Sequence, residues 1–167
     1  MQRRMLLTGL SALALLSACG GDSTKFKNYN GAPVTQIQVF KKDRKMYLFS
    51  GDQVVKTYDI ALGGQPVGPK QFEGDGRTPE GVYYIDGRNP NSAYHLSIRV
   101  SYPNPQQVAF AESKGRNPGG DIFIHGENNA DKRGKKDWTA GCIAVTDAQI
   151  EEIYSMVLNG TPIFIYP

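Results

Sequence analysis

The sequence predicts an α+β domain, mainly β, with a few short helices packed on a sheet. Three observations predict it: apolar residues alternate at period two over much of the chain, turn residues break the alternation at short intervals, and only two stretches bear helix-start signals. The first alternating block covers 35–62. Ile37 and Val39, Met46 and Leu48, then Val54, Val55, Tyr58 and Ile60 supply its apolar positions. Lys41-Lys42-Asp43-Arg44 and Ser50-Gly51-Asp52 cut it into three strands joined by tight turns. Residues 82–86 and 94–100 read as two more strands, with Val82, Tyr84, His95, Ser97 and Arg99 in alternating registers. Short β-branched or aromatic runs at 122–124, 142–145 and 162–166 complete the set.

The helical signals are local. Asn104-Pro105 opens a helix, with Asn able to cap and Pro tolerated in the first turn, and Gly115 ends it. Thr146 and Gln149 form a capping box ahead of an apolar face of Ile150, Ile153, Tyr154 and Val157, which Asn159-Gly160 terminates. Residues 63–79, rich in Gly and Pro, form a long loop without periodicity, unusual unless functional. Its spacing fits neither a dinucleotide nor a phosphate-loop motif.

At 167 residues, with 40% hydrophobic and 21% charged residues, the chain has room for one compact domain and shows no internal repeat. The net charge of +3 includes Arg3 and Arg4 of the leader, so the rest is close to neutral and no nucleic-acid partner is expected. Lys132, Arg133, Lys135 and Lys136 form a short basic run flanked by Asp131 and Asp137, which reads as a solvated loop or as a contact for an anionic substrate.

The N-terminus is an address. Arg3-Arg4 followed by an apolar run to Leu16 has the layout of a secretory signal over 1–18, too short for a comfortable transmembrane helix. Leu16-Ser17-Ala18-Cys19 resembles the bacterial lipobox, which implies cleavage before Cys19 and lipidation of its thiol. Residues 19–33 then read as a flexible tether, and 34–167 as an exported, membrane-anchored domain facing the periplasm or cell wall. With Cys19 lipidated, Cys142 is the remaining thiol, without a disulfide partner in an oxidising compartment. Two histidines and one available cysteine make a poor metal-ligand set, and no cofactor is implied.

His125 closes one short strand and Cys142 opens another, each beside a glycine, Gly126 and Gly141. Strand ends put side chains at the rim of a sheet, where a histidine could lower a thiol pKa or accept its proton. The backbone N–H of Cys142, with Gly141 or Ala140, could hold an oxyanion. Spacing alone leaves a second reading open, an inert core thiol beside a satisfied strand-end histidine.

Ile124-His125-Gly126, then Thr139-Ala140-Gly141-Cys142, resembles the catalytic signature of the bacterial L,D-transpeptidase (YkuD-type) family, His-Gly, spacer, Ser/Thr-x-Gly-Cys. Thr78-Pro79-Glu80-Gly81-Val82-Tyr83 and Thr161-Pro162-Ile163 resemble two further strands of that domain, so the resemblance spans 34–167. It implies a β-rich domain in which Cys142 attacks the L-centre carbonyl of meso-diaminopimelate in a peptidoglycan stem peptide, with His125 as base. Two positions depart from the pattern: Ala140 stands where many members carry histidine, and Ala144 where many carry arginine. The missing cation points to Arg99, or to Arg133, Lys135 or Lys136, as the holder of substrate carboxylates. Thr139, Trp138 and His95 are expected near the cleft, His95 to orient substrate or assist His125. The acceptor stays open between an amine, giving a transpeptidase, and water, giving a hydrolase that cuts a diaminopimelate-linked bond. A wall-binding lipoprotein without catalysis is the third class, and the oligomeric state is unspecified.

Overall fold

A computed structural model describes residues 24–127 and 136–167; the leader, Cys19, the start of the tether and Lys132, Arg133 and Lys135 lie outside the described residues. The first alternating block folds as a meander. β1 (Gln36–Phe40), β2 (Lys45–Ser50) and β3 (Gln53–Asp59) pair antiparallel, with Ile37 opposite Leu48 and Val39 opposite Met46. All four are fully buried, each stabilising the fold by about 1.5–3 kcal/mol relative to exposure. The remaining elements are β4 (Gly81–Asn89), β5 (Ser97–Val100), α1 (Pro105–Ser113), β6 (Phe123–His125), β7 (Ile143–Ala144), α2 (Asp147–Met156) and β8 (Pro162–Tyr166).

These eight strands form one mixed sheet in the order β3-β2-β1-β8-β4-β5-β6-β7, a mainly β half-barrel. The last strand enters the middle, parallel to β1 and antiparallel to β4, so the chain's final residues tie the meander to the site-bearing half. The inward face carries Ile37, Val39, Met46, Leu48, Ile163 and Ile165, while Phe40 stacks on Tyr166 and meets Tyr47 edge-on outside. Both helices begin at the boxes the sequence contains: Asn104 with Gln107, and Thr146 with Gln149. α2 lays Ile150, Ile153 and Met156 against the sheet beside β5 and β6. Tyr154, expected on that face, is only half-buried, and the Arg88 guanidinium lies 4.1 Å over its ring. Among the described residues no helix is long and apolar enough to cross a membrane.

Three strands differ from the sequence reading. β4 runs on to Asn89, because the chain continues past Asp86 through a register shift at Ile85/Gly87. β5 begins only at Ser97: His95 sits at φ 71°, a left-handed conformation that takes it out of the alternating pattern. β7 shrinks to two residues, because the segment before it is bent by Gly141 at φ 142°.

Candidate active site

Register places the site. Ser97 pairs with His125 and Arg99 with Phe123 across β5 and β6, while Ile124 and His125 pair with Ile143 and Ala144 across β6 and β7. Facing partners share a side of the sheet, so Ser97, Arg99, Phe123, His125 and Ala144 lie on one face and Ile98, Ile124 and Ile143 in the core behind it. Cys142, one residue before β7, reaches that same face beside Phe123, whose N–H donates to Sγ at 3.4 Å.

His125 is 3% exposed and enclosed by aromatic rings. Tyr94 stacks on it at 4.4 Å and Trp138 meets it edge-on at 5.7 Å. Its Nδ1 lies 2.6 Å from the Gly126 carbonyl. A carbonyl only accepts, so Nδ1 carries the hydrogen and, in the neutral ring, Nε2 holds the lone pair. Gly126 is a packing glycine: a Cβ there would lie 2.4 Å from Asp147 Oδ1 and 3.0 Å from the Tyr94 carbonyl.

The Cys142 thiol donates to the Asp121 carbonyl at 3.4 Å. Burial pushes its pKa above the ordinary thiol value, the Asp121 carboxylate adds to this, and the Phe123 N–H and the Lys70 ammonium pull the other way. The thiol therefore rests protonated near neutrality. It opens into a pocket of about 280 Å³ lined by Lys70, Glu73, Gly120, Asp121 and Ala140 among others.

The turn before Cys142 is stapled by Thr139, whose hydroxyl donates to the Cys142 carbonyl at 2.7 Å and accepts from the Gly141 N–H at 3.1 Å. That contact uses the Gly141 N–H, one of the candidate oxyanion donors. Gly141 itself has no room for a side chain, since a Cβ would stand 2.6 Å from the Arg77 carbonyl. Residues 63–79 thus form the wall of the site. Gly64 N–H bonds the Thr139 carbonyl, Thr139 N–H bonds the Leu62 carbonyl, and Asp137 takes a two-pronged ion pair from Arg44 at 2.7 and 2.8 Å. Burial raises the Asp137 pKa, but hydrogen bonds from Arg44 and from the Leu62 N–H outweigh it and hold the carboxyl below its ordinary value.

Of the residues expected at the cleft, His125, Gly126, Trp138, Thr139, Ala140, Gly141 and Cys142 gather at these strand ends. His95 does not: its Nε2 lies 2.8 Å from Glu151 Oε1 on α2, so the ring braces that helix. Arg99 shares the site's face, but its side chain lies over Gly87 of β4 and binds Asp86 at 2.8 Å, leaning away from β6. Lys136 is exposed beside a different pocket, with Glu127 and Ala144. The sequence reading missed Lys70 and Tyr94. Lys70 follows Gly68-Pro69 in the aperiodic loop, which reads as functional without singling out a residue, and Tyr94 reads as one more strand position; no local pattern marks either. Among the described residues no cluster of three or more His, Cys, Asp or Glu is arranged to hold a metal ion.

Comparison with known proteins places the geometry. Residues 35–165 match the model of the L,D-transpeptidase catalytic domain (YkuD). YafK of Escherichia coli (strain K12), whose name gives L,D-transpeptidase as a provisional assignment, is 30% identical over 173 residues, covering 98% of this chain and 64% of that protein. YkuD of Bacillus licheniformis, named in the same provisional way, is 30% identical over 137 residues, 79% of this chain and 66% of its own length. Among solved structures, the helical cell shape determining protein Pgp2 of Campylobacter jejuni superposes with a TM-score of 0.61 at 24% identity, over 87% of this chain and 51% of its own. An L,D-transpeptidase from Mycobacterium smegmatis does so at 0.54 and 16%, over 82% and 60%. The chain thus spans just under two thirds of YafK and about half of Pgp2, and likeness at these identities to solved structures bears on fold alone. With the family model covering nearly the whole sheet and both strand ends that bear His125 and Cys142, the chain belongs to the L,D-transpeptidase catalytic domain (YkuD) family.

Proposed function

We propose that this domain is a cysteine acyl transferase acting on peptidoglycan stem peptides, and that Cys19 anchors it by lipid to a membrane on the periplasmic or cell-wall side. The observation that carries the reading is the pairing of β6 with β7, which sets His125 and Cys142 on one face, with Cys142 opening into a pocket. Because the thiol rests protonated, it needs a base at the moment of attack. The S–H turns from the Asp121 carbonyl toward Nε2 of His125, which takes the proton as sulfur bonds to the carbonyl carbon of the donor. Fixing Nδ1–H on Gly126 keeps the correct tautomer, and the Tyr94 and Trp138 rings favour the imidazolium that forms.

The tetrahedral oxyanion falls to the Cys142 N–H, since Gly141's is engaged by Thr139; such a donor contributes roughly 10²–10³ in rate. Collapse expels the terminal D-alanine, whose amine takes the proton from His125. An amine acceptor then attacks the thioester and gives a proton to His125 as the new amide forms; the Cys142 thiolate leaves and takes that proton back. Water in place of the amine gives the hydrolase outcome from the same thioester.

The test is intact-mass analysis of residues 20–167, wild type beside Cys142→Ala and His125→Ala, with purified disaccharide-tetrapeptide and then an added amine. Loss of D-alanine with an exchanged or cross-linked product, absent in both variants, is the expected result. Free tripeptide without exchange identifies the hydrolase, and no acyl adduct or turnover on this donor refutes the reading. Lipidation at Cys19 is checked by the mass of the N-terminal peptide from membranes, and an unmodified Cys19 refutes the anchor.

A further inference from the structure

The pocket beside Cys142 contains a cation the acyl-transfer steps do not use. Lys70 lies in the wall loop, is only 5% exposed, and lines the same pocket as the thiol. Its ammonium donates to the Phe72 carbonyl at 2.9 Å and to Asp75 Oδ1 at 3.0 Å. An ammonium has three N–H donors, and the third has no acceptor among the described residues. Asp75 does not quench it fully. That carboxylate also accepts from the backbone N–H groups of Gln71, Phe72 and Arg77 at 2.8–3.0 Å, so its charge is shared among four donors. A buried charge with an unused donor, on a residue that lines a cavity, is costly unless something completes its shell. The rim holds the opposite sign, with Glu73 and Asp121 both exposed. A carboxylate meets Lys70 inside the pocket, and an amino-acid zwitterion meets partners for both of its ends.

We propose that Lys70 is the specificity residue of the Cys142 pocket, binding the carboxylate of an amino-acid zwitterion on the donor substrate while Glu73 and Asp121 face its ammonium. Lys70 thereby gives the Cys142 pocket a cation that Arg99, turned toward Asp86, does not provide. The identity of the donor rests on the acyl-transfer reading, but the pocket's charge preference does not.

The test uses thiol alkylation, which needs no peptidoglycan. Iodoacetate and iodoacetamide differ by one carboxylate, and each labels Cys142 at a rate read by intact mass. In Lys70→Met the iodoacetate-to-iodoacetamide rate ratio is expected to fall about tenfold from wild type, the scale of one lost charge-assisted hydrogen bond, and Lys70→Arg to keep it. A ratio unchanged in Lys70→Met overturns the proposal, as does a fall shared equally by both reagents, which marks a change in the thiol and not in anion binding. If Lys70→Met does not fold, wild type decides. Free diaminopimelic acid is expected to protect Cys142 from iodoacetamide while its diamide does not; equal protection, or none, overturns the proposal. Turnover of the tetrapeptide is independent of both results, so failure here and failure of the acyl-transfer reading are separable.

Discussion

Gly141→Ala tests whether the wall loop and the Cys142 turn are as close as the structure has them. Two costs act together. At φ 142° the residue lies where L side chains are rarely found, a strain of about 1–3 kcal/mol. The new Cβ also meets the Arg77 carbonyl at 2.6 Å, a backbone atom that cannot rotate aside, and such overpacking costs about 1–3 kcal/mol more. The sum is about 2–6 kcal/mol, a large part of the roughly 5–15 kcal/mol that holds a domain together. Gly51→Ala is the internal control. Gly51 also has positive φ, 56°, but nothing stands within 4 Å of its Cβ position, so only the backbone term of about 1 kcal/mol applies. Urea unfolding of both variants in a Cys142→Ala background, which removes oxidation as a complication, gives the two values. Gly141→Ala is expected to exceed Gly51→Ala by at least about 1 kcal/mol. Equal losses refute the close packing of Arg77 on Gly141, and with it the role of 63–79 as the wall of the site.

Two further outcomes concern pH. Asp137 has its folded pKa held below the ordinary carboxylate value, so its contribution is fully present above about pH 4 and is lost as pH falls through the depressed folded pKa. Urea midpoints of wild type and Asp137→Asn should therefore converge on acidification below about pH 4, and a constant gap at every pH refutes the Arg44–Asp137 account. For Cys142 the direction is reversed. Burial and Asp121 raise the thiol's pKa, so alkylation by iodoacetamide should keep climbing beyond about pH 8.5, and Asp121→Asn should shift the profile to lower pH. A plateau reached below about pH 7 would mean a thiolate at rest and a different role for His125.

Much of the fold was legible because period and punctuation were local. The meander of β1 to β3, both capping boxes and β8 follow from alternation and from residues a few positions apart. His125 and Cys142 were legible for another reason: a short run of residues around each, with glycine beside it, resembles a known signature. What escaped was tertiary. His95 alternates in sequence with Ser97 and Arg99, yet a left-handed turn and Glu151 on α2 take it elsewhere. Arg99 has the right charge on the right face, but Gly87 leaves space for it to lean toward Asp86, and nothing near Arg99 in sequence indicates that lean. Lys70 is hidden most thoroughly, since its burial depends on Asp75 folding three backbone N–H groups around one carboxylate.

How a 17-residue segment without strand or helix holds a rigid wall is answered by its buried polar contacts. Lys41, in the turn after β1, is 1% exposed and reaches across to the Gly68 carbonyl at 2.7 Å, the Thr78 carbonyl at 3.0 Å and Glu80 Oε1 at 2.7 Å. All three ammonium donors are thus engaged, and one side chain fastens Gly68 to the far end of the loop at Thr78. The Asp75 knot fixes its middle, and the Thr78 hydroxyl accepts from the Gly63 N–H at 3.2 Å. Lys41→Met keeps the stem's packing and removes all three bonds, leaving Glu80, 17% exposed at its side chain, without its counter-ion. Breaking such a pair costs about 3–5 kcal/mol. The cost should be local as well as global. Hydrogen exchange at the Gly63, Gly64 and Gln65 amides, whose acceptors lie within the wall or on Thr139, should speed up relative to the β1–β2 ladder. Uniform acceleration across both regions would show that Lys41 stabilises the domain as a whole and does not act as the clamp of the Cys142 wall.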